Sequence, residues 1–177
     1  DEFDGLTVHR LDLAEPDGAR RFAASIESCD VLVNNAGALH RDPSEFTADG
    51  FGRTVEVNLT GTFRLCEVMH PLLRRSGEGA VVNFASMLAL FGSPRVPAYA
   101  ATKGAVISLT KSLAQAWAPD GIRVNVVAPG WIDTPLMDAH VHDPERSARI
   151  VARTPLGRWG RPDDVVGPVL FLASDAA

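Results

Sequence analysis

Tyr99 and Lys103 stand four residues apart in the middle of the chain, and Tyr99 is its only tyrosine. Residues 98–117 are good helix formers with a recurring apolar face, and Pro97 suits a first helical turn, so both side chains would lie on one side of a helix. An ammonium group near a phenol favours the phenolate, so this spacing predicts a lowered Tyr99 pKa. The pair therefore indicates proton transfer.

Ser86 is a third residue with chemical potential. The run Ala80–Ser86 is short, apolar and β-branched, and it follows Gly79, so it predicts a buried strand. Ligands of open α/β sheets bind beyond the carboxyl ends of the strands, where this hydroxyl would lie. Ser86, Tyr99 and Lys103 together suggest acid/base work on a carbonyl or an alcohol. The alternative is that the phenol and the ammonium merely reach solvent from a surface helix.

The elements that would position these residues alternate between strand and helix, as in a parallel α/β sheet. Strands are predicted at 7–13, 30–34, 80–86 and 124–128, and helices at 15–28, 44–75, 97–117 and 162–174. Ser44 or Thr47 would cap the second helix. Residues 131–135 would form a loop, and residues 136–158 would form a mobile insertion that covers the substrate.

The composition predicts one domain, residues 1–177, because 177 residues that are 46% hydrophobic suffice for a sizeable α/β core. Seventeen basic against 22 acidic residues give a net charge of -5, and no basic run suits a nucleic-acid partner. No apolar run reaches membrane-spanning length. Cys29 and Cys66 lack metal-ligand spacing, so we expect no metal site, and reduced thiols in a cytoplasmic protein.

Several motifs occur in an order that resembles the short-chain dehydrogenase/reductase family. They are Asn34-Asn35-Ala36-Gly37 after a strand, Asn58 in Asn-Leu-Thr-Gly61, Ser86, Tyr99-Ala-Ala-Thr-Lys103, and Pro129-Gly130 followed by Thr134. The resemblance covers nearly the whole chain. It implies a Rossmann-like, doubly wound parallel sheet in a three-layer αβα arrangement. It also implies hydride transfer between a nicotinamide cofactor and a secondary alcohol or ketone.

The resemblance further implies roles for single residues. Tyr99 would be the general acid/base, Lys103 would lower its pKa and hold ribose hydroxyls, and Ser86 would polarise the carbonyl. Asn58 would interrupt its helix and hold a water that relays protons to Lys103. The implied cofactor site comprises Asp12, Leu13, Asn35, Ala36, Gly37, Tyr99, Lys103, Pro129, Gly130, Ile132 and Thr134.

Three of these assignments carry more detail. Asp12 would lie beside the adenine ring, although its carboxylate is also placed to accept from amides of the following helix. Ile132 and Thr134 would lie near the nicotinamide carboxamide and the phosphates. For Asn34, which precedes the cofactor turn, a structural role in the sheet is at least as consistent as a contact.

Within the family, the chain is most similar to sugar-acid dehydrogenases that act on 2-deoxy-D-gluconate or 2-dehydro-3-deoxy-D-gluconate. The stretches 85–88, 95–99, 146–148, 156–162 and 167–174 carry this similarity. It implies a substrate site of Ser86, Arg95, Tyr99 and Arg158, since guanidinium groups pair bidentately with carboxylates. Both arginines are equally compatible with a surface or subunit contact. His40 and Arg41, after the Asn-Ala-Gly turn, are weaker candidates for the same substrate site.

The family begins with a strand, a Gly-x-x-x-Gly-x-Gly turn that holds the pyrophosphate, and a helix, and this pattern is absent from the sequence. A sheet of order 3-2-1-4-5-6-7 would thus lack its first two strands and its last, so the strand at 7–13 would have no neighbour. We expect the 177 residues to be part of a longer chain. The alternative is a genuinely shortened variant that binds something else.

The remaining expectations concern cofactor, assembly and competing functions. The residue that reads the ribose 2′ position is not in this sequence, so the residues do not separate NAD from NADP, and the sugar-acid similarity favours NAD. The family implies a homotetramer or dimer, with interfaces on helices 51–74 and 98–117. The competing functions are a 3-oxoacyl-thioester reductase or other short-chain alcohol dehydrogenase, and a pseudo-enzyme or binding domain without cofactor.

Overall fold

The computed structural model describes residues 5–177. The strands are β1 (Val31–Asn34), β2 (Ala80–Phe84) and β3 (Arg123–Val127). The helices are α1 (Gly18–Ala24), α2 (Ala48–Val55), α3 (Thr62–Ser76), α4 (Leu88–Phe91), α5 (Pro97–Trp117), α6 (Asp138–Val141), α7 (Pro144–Ala152) and α8 (Asp163–Ala173). A π-helical segment spans Glu56–Gly61, and 3-10 turns span Pro43–Phe46, Ala118–Asp120 and Pro135–Met137.

The three strands form one parallel sheet in the order β1-β2-β3. Both crossovers step in the same direction, so right-handed connections put α3 and α5 on one face of the sheet. The central strand is buried over Ala80–Asn83, and α8 packs against β2 and β3, so α8 covers the other face. The predicted α/β class and its three-layer arrangement are confirmed.

The core lies between α3, α5 and the sheet. Its members are apolar residues that recur on one face of each helix and meet the buried strands: Cys66, Met69, Leu72, Leu73, Val81, Leu113, Ile122 and Val124. Burial of such side chains contributes about 1.5 to 3 kcal/mol each for the larger ones, which fixes α3 and α5 against the sheet. Among the described residues, no helix is both long and apolar enough to cross a membrane.

The predicted helix over 44–75 is divided into three parts. Thr47 caps α2, because its side chain accepts from the Gly50 amide, whereas Asp42 and not Ser44 caps the turn that precedes it. The π-helical segment then separates α2 from α3, as the expected interruption at Asn58 requires. A π segment widens the helix by one residue and is frequent at functional sites.

The predicted strand over 7–13 is wrong. Residues 6–12 have no regular secondary structure, since the sheet of the described residues offers this segment no partner for its amides and carbonyls. The helix predicted over 15–28 is also shorter, because α1 starts at Gly18 and ends at Ala24. The segment is still placed by local contacts, among them an edge-on contact between the rings of His9 and Phe22.

Candidate active site

Tyr99 and Lys103 lie in the first two turns of α5, as their spacing predicts. Pro97 opens the helix, so its missing amide is no loss. The Lys103 side chain is only 5% exposed, and its Nζ donates to the Phe84 carbonyl at 2.6 Å, at the end of β2. The same nitrogen lies 5.6 Å from the centre of the Tyr99 ring. The helix therefore brings phenol and ammonium together at the carboxyl edge of the sheet.

Contrary to the prediction, the pKa of Tyr99 is not lowered in the chain without a bound ligand. Burial raises the pKa of Tyr99, and this effect outweighs the hydrogen bond from Ser86 and the charge of Arg41, which both lower it. Burial also lowers the pKa of Lys103, to about 8. The prediction fails because the ammonium is itself desolvated and held by a backbone carbonyl, so it is not the cation that acts on the phenol.

Ser86 lies two residues beyond the end of β2, and its hydroxyl lowers the pKa of the Tyr99 phenol, which places the two side chains near each other. Its loop runs beside the end of β3, where the Met87 amide donates to the Pro129 carbonyl at 3.0 Å. Gly130 faces the Met87 side chain across this contact. The structure thus brings Ser86, Tyr99 and the predicted Pro129-Gly130 turn to one edge, because the parallel strands end together there.

Asn58 is 1% exposed, although an amide inside a helix usually points to solvent. Its Oδ1 accepts from the Ala38 amide at 2.7 Å, and its Nδ2 donates to the Ala38 carbonyl at 2.8 Å and to Thr102 Oγ1 at 3.3 Å. The side chain therefore ties the turn after Gly37 to α5. These contacts occupy its side chain; the water relay stays a prediction.

Gly37 lies where this turn meets the site. A Cβ at Gly37 would come within 3.2 Å of Asn58 Oδ1 and 3.6 Å of Lys103 Nζ, so the turn approaches both residues closely only because the side chain is missing. Asn35, Ala36 and Gly37 are exposed beside it. The turn therefore leaves its backbone exposed beside Asn58 and Lys103.

Glu45 was not found by sequence reasoning. Its carboxylate is 1% exposed and accepts from the backbone amides of Ala98 at 3.1 Å and Tyr99 at 3.4 Å. Thr54 Oγ1 donates to the other oxygen at 3.4 Å. The negative charge thus satisfies the first turn of α5, where helices leave amides unpaired. The partners are 53 residues apart in the chain, so no local spacing could have indicated the contact.

Asp12 and Leu13 border the turn on its other side. A cavity of about 410 Å³ is lined by residues of both segments, among them Asp12, Leu13, Ala36 and Gly37. Gly61 permits this arrangement, because a Cβ there would meet Leu13 at 2.8 Å. Asp12 Oδ1 also accepts from the Ala14 amide at 2.9 Å, which lies in the turn before α1 and not in the helix itself. The two predicted cofactor segments therefore face one cleft.

Ile132 and Thr134 lie on the loop after Gly130. Ile132 forms a parallel bridge with Gly160, in which the Asp133 amide donates to the Gly160 carbonyl and the Gly160 amide donates to the Trp131 carbonyl. Within the described chain, this leaves the amide and carbonyl of Ile132 without a backbone partner. Thr134 is extended, and its hydroxyl makes no capping bond to the next turn. Within the described chain, the backbone groups of Ile132 and the hydroxyl of Thr134 are therefore available for the cofactor contacts that the family resemblance implies.

Asn34 has the structural role considered for it. Its Nδ2 donates to Asn83 Oδ1 at 2.9 Å across β1 and β2, and Asn83 Nδ2 donates to Thr110 Oγ1 of α5 at 2.9 Å. All three side chains are buried. This chain of hydrogen bonds fixes the sheet against α5.

The two predicted substrate arginines differ in the structure. Arg95 precedes α5 and is exposed near its first turn. Arg158 already holds a carboxylate, because its Nη1 and Nη2 donate to the two oxygens of Asp164 at 2.7 and 2.9 Å. The bidentate face predicted to bind substrate is thus occupied by the chain itself, and Arg158 secures the start of α8 instead.

Comparison with known proteins shows the family to which the chain belongs. The sequence model of a family described as enoyl-(acyl carrier protein) reductase matches residues 5–177. The 2-dehydro-3-deoxy-D-gluconate 5-dehydrogenase of Bacillus subtilis is 40% identical over 176 residues, which cover 97% of this chain and 69% of that protein.

Solved structures of dehydrogenases have the same fold as this chain. A gluconate 5-dehydrogenase from Burkholderia cenocepacia, in complex with NADP and tartrate, is 38% identical with a TM-score of 0.84, over 93% of this chain and 66% of that one. An NAD+-bound xylitol dehydrogenase is 29% identical with a TM-score of 0.82, over 93% of this chain and 71% of that one. The chain belongs to the short-chain dehydrogenase/reductase family, whose members are oxidoreductases acting on CH–OH groups with NAD(P), and it spans about two thirds of the length of these relatives.

Proposed function

We propose that the intact protein transfers hydride between NAD(P) and a secondary alcohol or ketone of a sugar acid related to gluconate. The observation that carries the proposal is the convergence of Ser86, Tyr99 and buried Lys103 at the carboxyl edge of β2. Its support on the substrate side is similarity to enzymes named for 2-dehydro-3-deoxy-D-gluconate and gluconate.

In this proposal the bound nicotinamide accepts or supplies the hydride, and the chain handles the proton. During oxidation, the Tyr99 oxygen takes the hydroxyl proton while the C–H hydrogen leaves as hydride, so a carbonyl forms; reduction reverses both transfers. Ser86 donates a hydrogen bond to the same substrate oxygen, which stabilises the charge that develops there. Catalysis therefore requires the Tyr99 hydroxyl within hydrogen-bond reach of that oxygen.

Lys103, Asn58 and Glu45 are proposed to hold this arrangement. Lys103 would exchange its bond to the Phe84 carbonyl for ribose hydroxyls, and its position beside the ring supports that role. Asp12, Leu13, Asn35, Ala36, Gly37, Pro129, Gly130, Ile132 and Thr134 would bind the cofactor. Their support is the shared cleft at Asp12–Gly37 and the exposed backbone of the Ile132 loop.

We also propose that the protein forms a single domain and assembles as a homotetramer or dimer. A cytoplasmic location is proposed too, because Cys29 and Cys66 are both free. Exposed Phe51 and Phe63 lie on the proposed interface helices, and light scattering would measure the assembly. NAD is proposed as the preferred cofactor, although solved relatives hold either NADP or NAD+.

The test is a panel of alcohol substrates with NAD+ and NADP+ and of ketone substrates with NADH and NADPH, in which the absorbance of the reduced nicotinamide is followed. We expect turnover with D-gluconate or 2-deoxy-D-gluconate. Turnover confined to the reduction of a 3-oxoacyl thioester would favour the second candidate, a 3-oxoacyl-thioester reductase. A protein that binds the cofactor but turns over neither class would contradict the proposal in favour of a pseudo-enzyme.

A further inference from the structure

Thr102 is a buried polar residue of α5 that the proposed proton transfer does not use. Only 1% of it is exposed, and its Oγ1 donates to the Tyr99 carbonyl at 2.8 Å, one turn earlier in the helix. Helical threonines commonly bond a carbonyl three or four residues back. Because a hydroxyl has a single hydrogen, this bond uses the hydrogen of Thr102 and leaves only its lone pairs for another group.

Asn58 is the group that donates to these lone pairs. Its Nδ2 donates to Thr102 Oγ1 at 3.3 Å and to the Ala38 carbonyl at 2.8 Å, while its Oδ1 accepts from the Ala38 amide at 2.7 Å. If the side-chain amide were reversed, its oxygen would face the Ala38 carbonyl and a Thr102 oxygen that has no hydrogen left to donate. Thr102 therefore helps to fix the orientation in which Asn58 holds Ala38.

Tyr99 is held through both sides of its backbone. Its amide donates to the Glu45 carboxylate at 3.4 Å, and its carbonyl accepts from Thr102. A continuous chain of hydrogen bonds then leads from this carbonyl, through two buried side chains, to the backbone of Ala38. Fully bonded buried networks of this kind make a site rigid. The distance between Tyr99 and the turn before Ala38 therefore depends on the Thr102 hydroxyl.

We infer that Thr102 is a positioning residue, which acts through Asn58 to fix the cofactor turn, residues 35–37, relative to Tyr99. The inference rests on the proposed function, in which that turn binds the nicotinamide cofactor and Tyr99 moves the proton. The Thr102 hydroxyl faces a backbone carbonyl and a side-chain amide, so it takes no part in the proton transfer itself. Its effect is on geometry, because the hydride and proton transfers require cofactor and phenol in one arrangement around the substrate.

Thr110, further along α5, offers a matched control. It is also buried, with 3% exposed, and its Oγ1 donates to the Val106 carbonyl at 2.7 Å and accepts from Asn83 Nδ2 at 2.9 Å. Each threonine therefore makes one bond to its own helix and accepts one from an asparagine. The two differ in what the asparagine holds, because Asn83 belongs to β2 and bonds within the sheet, whereas Asn58 bonds Ala38.

The experiment compares Thr102→Val with Thr110→Val in the intact protein. Valine keeps the shape of threonine without the hydroxyl, so urea titration should show similar losses in the free energy of unfolding for the two variants. Hydrogen exchange at the Ala38 amide, measured by NMR, should become about three- to tenfold faster in Thr102→Val, the effect of one lost hydrogen bond, and should not change in Thr110→Val. Thr102→Ser, which restores the hydroxyl, should return the exchange rate to that of the wild type.

Turnover of the sugar acid at saturating cofactor is the second measurement. In Thr102→Val, kcat should fall by about three- to tenfold while the KM for the sugar acid stays within about twofold, because the change misplaces the cofactor turn and leaves the substrate contacts in place. In Thr110→Val, kcat should not change, and Thr102→Ser should recover the lost rate.

Unchanged exchange at Ala38 in Thr102→Val would overturn the inference. Equal effects of the two valine variants on exchange and kcat would also overturn it, since a loss of stability would then explain both. Faster exchange with an unchanged kcat, or no recovery in Thr102→Ser, would have the same meaning. Thr102→Ala removes the same hydroxyl and decides the question if the valine variant does not fold. Failure of the proposed function is a different result: the wild type would turn over no substrate, yet exchange at Ala38 would still depend on Thr102.

Discussion

The cluster of Asn58, Lys103 and Glu45 and the segment over residues 135–158 are built differently. In the cluster, Asn58, Lys103 and Glu45 are almost fully buried, and each is held by backbone groups from a distant part of the chain. The segment consists of short helices with exposed ion pairs, such as Arg149 with Glu145, whose side chains are 78% and 81% exposed. Rigid positioning thus belongs to the cluster.

This difference suggests a division of labour. A proton-transfer group must be held precisely, and buried hydrogen bonds from several elements achieve that. We propose that the segment over residues 135–158 covers the substrate, since little of the core depends on this segment and its surface can change without disturbing the sheet. We therefore expect substitutions in the cluster to affect stability and rate together, and substitutions on the exposed face of the segment to affect neither.

The largest effect on stability should come from Glu45→Ala. It leaves the amides of Ala98 and Tyr99 without their acceptor, whereas the Thr54 hydroxyl keeps the Gly50 carbonyl, so the free energy of unfolding should fall by about 2 to 3 kcal/mol. Urea titration measures this change, and kcat should fall as well because the first turn of α5 carries Tyr99. Glu45→Gln, which keeps one acceptor oxygen, should lose less. A loss below about 0.5 kcal/mol in Glu45→Ala would remove Glu45 from this role.

The second prediction concerns the charge of Lys103. The pKa of Lys103 in the folded protein is about 8, below the ordinary 10.5, so burial of the ammonium destabilises the fold. This destabilisation is complete below about pH 8 and is relieved as the pH rises from about 8 to 10.5. The cost is about 3 kcal/mol. Carbon-13 NMR of labelled lysine should show one signal that titrates near pH 8, and Lys111→Arg assigns it because the chain has only these two lysines. A Lys103 midpoint above about pH 10 would contradict the buried environment.

The smallest effect should come from Arg149→Ala. Its pair with Glu145 is solvated, so the free energy of unfolding should change by less than about 0.5 kcal/mol, with kcat unchanged. A loss comparable to that of Glu45→Ala would show that the segment is as integral to the fold as the cluster, and the contrast between the two regions would fail.

Local patterns in the sequence predicted most of these elements. Pro97 and the apolar face after it specified α5, and Thr47 specified the start of α2, since caps and periodicity depend on neighbouring residues. The candidate residues Ser86, Tyr99, Lys103, Asn58 and Gly37 were found through ordered motifs, and the fold brings them together. Each of these correct predictions rests on residues that lie close together in the sequence.

The failures depend on distant partners. The strand over 7–13 fails because a β-branched pattern cannot report whether a neighbouring strand is there. Glu45 was missed because its partners lie across the site, and Arg158 was assigned to substrate because its pairing with Asp164 depends on how the chain turns into α8. The shift in the Tyr99 pKa had the wrong direction because spacing gives proximity to Lys103 but not the burial of either group.

The central claim is that Tyr99 moves the proton, and Tyr99→Phe tests it most directly because only the hydroxyl is removed. Turnover of the sugar acid should be measured with the intact protein at saturating cofactor, beside a titration of cofactor binding by nicotinamide fluorescence. We expect cofactor affinity within a few fold of wild type and a fall in kcat of about 10²- to 10⁴-fold. Turnover near the wild-type rate in Tyr99→Phe would contradict the account, since another group would then have to supply the proton.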